Sequence, residues 1–192
     1  NRSGDLTVSQ SFDLNGHALD VDGNVTVTGA AARLVMQNST DALTVSGDVT
    51  INGATTNGYL TDGTLTVQGS FSSGSTFSTQ AFRASGGHTV VIDYNEGTGV
   101  TLGLATPGTG TERFQNLTIT EFTDVTLTSD IVVQGLFQVD ADNAVSAGGF
   151  DLHVAGGWTD LEGPTLFDQV FLTGDPSVLP PTILSNEFVD AP

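Results

Sequence analysis

The side chains whose types and spacing come nearest to a chemical function lie in two acidic turns. Asp20, Asp22 and Asn24, in the run DVDGN, and Asp140, Asp142 and Asn143, in the run DADN, place carboxylate and amide oxygens at short intervals. Oxygen ligands so spaced could gather around calcium, which is the one cofactor the sequence suggests. Neither run completes a known calcium loop. An EF-hand requires a bidentate Glu about six residues after its Gly, and a calcium β-roll requires a Gly-rich nonapeptide. The competing reading of these residues is structural: Asp favours tight turns because its carboxylate caps its own backbone.

Carboxylate pairs also serve glycoside cleavage. Such sites need cationic groups beside an acidic polymer, and the only basic residues are Arg2, Arg33, Arg83 and Arg113, spread along the chain. His17, His88 and His153 have no neighbouring Ser, Cys or acid in sequence that reads as a triad. No catalytic residue is therefore assigned, and the expectation is a protein that is not an enzyme. Pairs such as Thr26/Thr28, Thr64/Thr66 and Thr118/Thr120 invite comparison with the flat Thr ladders of ice-binding solenoids. The outward positions of successive units do not keep a Thr column, so these residues read as strand formers on a solvated face.

The formal charge is −18 over 192 residues, with no Lys at all. A chain this acidic repels phosphate backbones and lacks a basic stripe, which excludes nucleic acid as an expected partner. The acids are scattered in ones and twos, as in solvated turns. Cys is absent, so neither disulfides nor thiolate metal sites are available. No apolar run approaches the roughly 20 residues needed to cross a bilayer, and no basic-then-apolar leader opens the chain. Membrane insertion is not expected. A chain starting at Asn1 suits a mature form or an excised segment.

The elements that must position these residues follow from an internal repeat. Leu19-Asp20-Val21-Asp22-Gly23, Leu43-Thr44-Val45-Ser46-Gly47 and Leu65-Thr66-Val67-Gln68-Gly69 recur at intervals of 24 and 22 residues, and Leu152-His153-Val154-Ala155-Gly156 repeats the pattern later. Beside them stands a second strand-like unit: Asn24-Val25-Thr26-Val27-Thr28-Gly29, Asp48-Val49-Thr50-Ile51-Asn52-Gly53 and Asp130-Ile131-Val132-Val133-Gln134-Gly135. Aliphatic and polar residues alternate with period two, as in half-buried strands. The closing Gly marks a position needing either positive φ or close backbone approach. Strand and turn alternating at a 22–24-residue period, with no helical stretch, predicts an all-β fold: a right-handed parallel β-helix, or β-solenoid, of about eight coils. A β-sandwich is the competing architecture. The Phe residues and Trp158 read as core fillers. Ser70–Ser85 and Gly97–Thr111 read as looser coils, the second as a protruding loop. The solenoid is placed at residues 1–173, and the Pro180-Pro181 pair makes 174–192 an extended arm or linker.

The run from Phe114-Gln115-Asn116-Leu117-Thr118-Ile119 through Val125-Thr126-Leu127 and Asp130–Gly135 to Phe150–Gly157 resembles the repeats of bacterial and archaeal surface proteins with parallel β-helices, the filamentous-haemagglutinin-like adhesins and related exoproteins. The resemblance implies an extracellular or cell-surface location and structural or adhesive work. It carries over no catalytic residue. The end coils of a solenoid leave strand edges that recruit another chain unless capped. The chain is therefore expected either to be a segment of a longer protein or to form a homo-oligomer or head-to-tail filament. Surface glycans are a further candidate partner, and a carbohydrate-binding or carbohydrate-cleaving β-helix is the alternative function. Four Asn-x-Ser/Thr sequons, at Asn1, Asn24, Asn38 and Asn116, are no more than a Thr-rich chain yields by chance.

Overall fold

A computed structural model describes residues 1–93, 99–120, 124–140, 145–160, 170–172 and 183–184. Every described element is a strand or a turn. The first coil carries β1 (Leu6–Val8), β2 (Ser11–Asp13) and β3 (Ala18–Val21), and the second carries β4 (Val25–Thr28), β5 (Arg33–Val35) and β6 (Ala42–Val45). The third holds β7 (Val49–Asn52) and β8 (Thr64–Val67), the fourth β9 (Phe71–Ser73) and β10 (Thr89–Ile92), and the fifth β11 (Val100–Gly103) and β12 (Asn116–Ile119). Then come β13 (Val125–Leu127), β14 (Ile131–Val133) and β15 (Phe137–Val139), followed by β16 (Val145–Ser146), β17 (Leu152–Val154) and β18 (Trp158–Asp160). Two short strands close the series, β19 (Val170–Leu172) and β20 (Ile183–Leu184).

Each strand pairs in parallel with its counterpart one coil away. The first stack is β1-β4-β7-β9-β11-β13-β16 and the second is β3-β6-β8-β10-β12-β15-β18-β20. The third face begins as β2-β5 and ends as β14-β17-β19. Between these it narrows to single bridges, Met36 to Leu60, Leu60 to Ala84, Arg83 to Arg113 and Phe114 to Val133. The fold is a parallel β-solenoid. It makes about six turns from β1 to β16, which the seven-stranded stack counts directly, rather than the eight expected. The difference lies in coil length: Thr89 pairs with Asn116, 27 residues on, and Phe71 with Leu102, 31 residues on. Ile183–Leu184, within the segment read as an arm, adds a strand beside β18.

Alternation along each strand becomes columns along the rod. Leu43, Leu65, Val90, Leu117, Phe137 and Trp158 form one inward column, and Val21, Val45, Val67, Ile92, Ile119 and Val139 another. In the first stack the pairing of Phe71 with Leu102, rather than with Val100, moves the register by two residues. A shift of two preserves which face points inward, whereas a shift of one would have turned the whole aliphatic set to solvent. Where the third face has only bridges, Phe71, Phe82 and Phe114 fill the interior, with ring centroids 4.8, 5.1 and 5.3 Å apart. The region read as loose thus holds the tightest aromatic packing. Phe77, by contrast, is 47% exposed and is not a core filler. Phe122 and Phe167 lie outside the described residues.

The repeat Gly works by close approach, because Gly23, Gly47 and Gly69 are not among the residues with positive φ. At the corner leading into the first stack, the side chain that follows each Gly binds the backbone one coil on. Asn24 donates its N–H to Asp5 Oδ1, Asp48 to Asn24 Oδ1, and Ser70 to Asp48 Oδ1, each at 2.8 Å. Thr101 then donates to Ser70 Oγ at 3.0 Å. A Cβ on Gly69 would stand 2.6 Å from Asp48 Oδ1 and 2.6 Å from the carbonyl carbon of Gly47, so backbone itself blocks it. Gly69→Ala is expected to cost about 2 kcal/mol or more as overpacking. Gly110→Ala, where a Cβ meets nothing within 4 Å, should stay within about 0.5 kcal/mol of the parent. Urea unfolding of both variants checks this, and equal costs would remove close approach as the reason for the repeat Gly.

Candidate functional site

The acidic-turn residues do not behave alike. Asn24 is a rung of the corner ladder, its Oδ1 occupied by the Asp48 N–H, so its cap serves the next coil rather than its own turn. Asp20 faces outward from β3 and Asp22 is exposed in the following turn. Asp140 accepts a hydrogen bond from Gln138 Nε2 at 2.7 Å. Asp142 and Asn143 lie outside the described residues.

Sequence reasoning missed a different group. Asp130, Asp151 and His153 each offer a ligand atom, and these atoms lie within 4.8 Å of one another, all on partly buried side chains. The coil return places them. β14 pairs with β17 so that Ile131 faces Leu152 and Val132 faces His153, and Asp130 and Asp151 occupy the same position one coil apart. Asp130 Oδ1 accepts the Asp151 N–H at 3.0 Å, while the Asp151 carbonyl accepts the Ile131 N–H at 2.9 Å. His153 points outward between buried Leu152 and Val154. The group holds two acids and an imidazole but no Ser or Cys nucleophile, so it is a donor cluster rather than a triad. The signal was the 21-residue offset between the two Asp, one coil of the local repeat. A cleft of about 310 Å³ adjoins the group, lined by Asp130, His153 and Gln134 and overhung by Pro107, Gly108 and Thr109. The overhang belongs to a loop that closes on itself, Gly108 donating to the Glu112 carbonyl at 2.9 Å. The protruding loop expected over 97–111 therefore starts only after β11.

Three further titratable groups are buried, each held differently. Asp41 is 1% exposed and accepts the N–H groups of Gly16, Gln37 and Asn38. Burial alone would raise its carboxyl, but the backbone donors outweigh that and hold it below the usual 3.8. Glu112 is fully buried; Ser73 Oγ and the Thr106 N–H both bind its Oε2 at 2.8 Å, and desolvation pushes its carboxyl up despite them. His88 is fully buried and edge-on to Phe82 at 6.2 Å, and neither ring nitrogen has a hydrogen-bond partner among the described residues. Desolvation lowers its pKa from 6.5 to about 4, with Asp62 pulling weakly the other way. These groups work within the fold: Asp41 ties a corner, Glu112 anchors the loop, and His88 fills space as a neutral ring.

Comparison with protein-family models, with curated proteins and with solved structures gave no match for this chain. The fold and the local chemistry therefore carry the functional reading.

His88 makes stability depend on pH in a defined direction. The unfolded chain takes up a proton near pH 6.5 that the folded chain refuses until about pH 4. Stability from this group is complete above about 6.5 and falls as pH drops towards 4, by a total on the order of 3 kcal/mol. Urea midpoints measured between pH 7.5 and 4.5 should fall more steeply for the parent than for His88→Leu. Parallel curves would mean that the imidazole takes no part.

Proposed function

We propose that this chain is an extracellular structural protein: a β-solenoid subunit or segment of a cell-surface filament, surface layer or adhesin that assembles through its ends. The supporting observation is the first coil. Among the described residues β1 pairs only with β4, and β2 only with β5, so each leaves one row of N–H and C=O groups unpaired. Leu6, Phe12 and Leu19 pack against the core there without being fully buried. Arg2 bridges Val21 and covers part of the edge of β3, whereas the outer edges of β1 and β2 pair with no strand among the described residues. An open strand edge recruits another strand. Because every stack is parallel, its two ends differ, and a contact between unlike ends repeats into a filament.

The remaining chemistry fits structural work. Three of the four Arg side chains are engaged within the chain: Arg2 with the Asp5 carbonyl, Arg33 over the Tyr59 ring at 4.5 Å, and Arg113 with the Ala84 and Thr109 carbonyls. The net charge of −18 itself disfavours an acidic polymer as ligand. A carbohydrate-binding β-helix is the second reading, favoured by the cleft beside His153.

Electron microscopy and light scattering of the purified chain across a concentration series test the proposal. Filaments or head-to-tail oligomers are expected, and Thr7→Pro should shorten them. Thr7 lies between Leu6, whose N–H already serves Asn24, and Val8, so strand alternation turns its own N–H to the open edge, where Pro is tolerated. A monodisperse monomer at all concentrations, or one that binds a glycan panel, would sink the assembly reading.

A further inference from the structure

We propose that Asp130, Asp151 and His153 form a binding site for a first-row divalent metal ion of the zinc class, held between two adjacent coils. Three observations lead there. The donor set is two carboxylates and an imidazole with their ligand atoms within 4.8 Å of one another, so small side-chain rotations close the set around an ion at the roughly 2.0–2.2 Å typical of zinc. The backbone already fixes two ligands relative to each other, since the same hydrogen bond that orients Asp130 through Oδ1 starts at the Asp151 N–H. That leaves Asp130 Oδ2 and the Asp151 carboxylate for the ion.

The third observation is electrostatic. In the corner ladder the stacked side chains run Asp5, Asn24, Asp48, Ser70, so a neutral group separates the carboxylates. At Asp130 and Asp151 two acids occupy successive rungs with nothing neutral between them. Like charges directly opposite on neighbouring strands are destabilising, and a shared cation converts that repulsion into attraction. The imidazole decides which cation. Calcium and magnesium prefer all-oxygen shells of six or more ligands, whereas zinc, nickel and cobalt accept nitrogen readily. Further coordination positions have room on the cleft side, because Asp130 and His153 also line the cleft of about 310 Å³. A water or a ligand oxygen fits there. The site differs from the calcium turns that the sequence suggests, and it adds a tie between coils independent of any assembly through the ends.

Calorimetric titration of the chelator-treated protein with zinc tests the proposal. One equivalent is expected to bind, with calcium and magnesium unable to displace it at equal concentration. His153→Ala and Asp151→Asn should each weaken binding about tenfold or more, at least the loss seen when only an outer-shell partner is removed. His17→Ala, on an exposed residue outside the group, should leave it unchanged. Far-UV circular dichroism verifies that the variants keep their strands. A readout needing no variant is cobalt: visible d–d absorption on binding, with selective broadening of the His153 imidazole resonance in NMR spectra. Zinc binding unaltered in His153→Ala, or cobalt broadening His17 instead, would overturn the assignment.

Discussion

The structure depends on one constraint: the backbone N–H and C=O groups of its strands must find their partners one coil away, and where strand pairing stops at a corner the next coil still supplies acceptors. Along the faces the parallel ladders meet this demand. At the corner before the first stack they do not, and Asx and Ser side chains supply the oxygen instead, from Asp5 through Asn24 and Asp48 to Ser70. These corner bonds are solvent-exposed, so each contributes about 0.5–1.5 kcal/mol, and the ladder favours residue types whose side-chain oxygen reaches the next coil. It also excludes a side chain at the preceding Gly. The Leu-Thr-Val-x-Gly signature is in this sense half core and half corner.

Given that constraint, the interior follows. Parallel stacking superimposes equivalent residues, so alternation along one strand becomes a continuous aliphatic column down the rod. The stack tolerates long coils because a register shift of two keeps the inward face. Where the third face narrows to bridges, the rings of Phe71, Phe82 and Phe114 pack together in the interior beside buried Leu60 and Ala84. The same packing explains His88. It sits beside Phe82 as a flat, uncharged ring, a role open to imidazole only while desolvation holds its pKa well below neutral.

Stacking also creates chemistry the chain does not display linearly. Asp130 and Asp151 lie far apart in sequence and become neighbours only because one coil separates them. His153 joins them because it occupies an outward position two residues after Asp151. The cleft beside them requires a third segment, the loop around Pro107–Thr109, from a coil further up. Among the described residues the group of Asp130, Asp151 and His153 is the compact donor cluster that stacking creates.

Most of the architecture was legible in the residues. Period-two alternation and the absence of any helical pattern indicated an all-β fold, and the recurrence of whole units at 22 and 24 residues favoured a parallel β-solenoid over a β-sandwich, because such recurrence follows from coil-to-coil stacking. The number of turns was not legible, since loop length does not alter the pattern of the strands it joins. Nor was the meaning of Asn24: one side chain near a turn looks the same whether it caps its own backbone or the next coil's. The candidate metal group escaped for the same reason, as Asp130 joins Asp151 and His153 only in the folded rod. Sequence by itself determined which side chains face inward, a property of each strand alone. Tertiary structure decided which outward side chains meet, because that depends on the length of every coil between them.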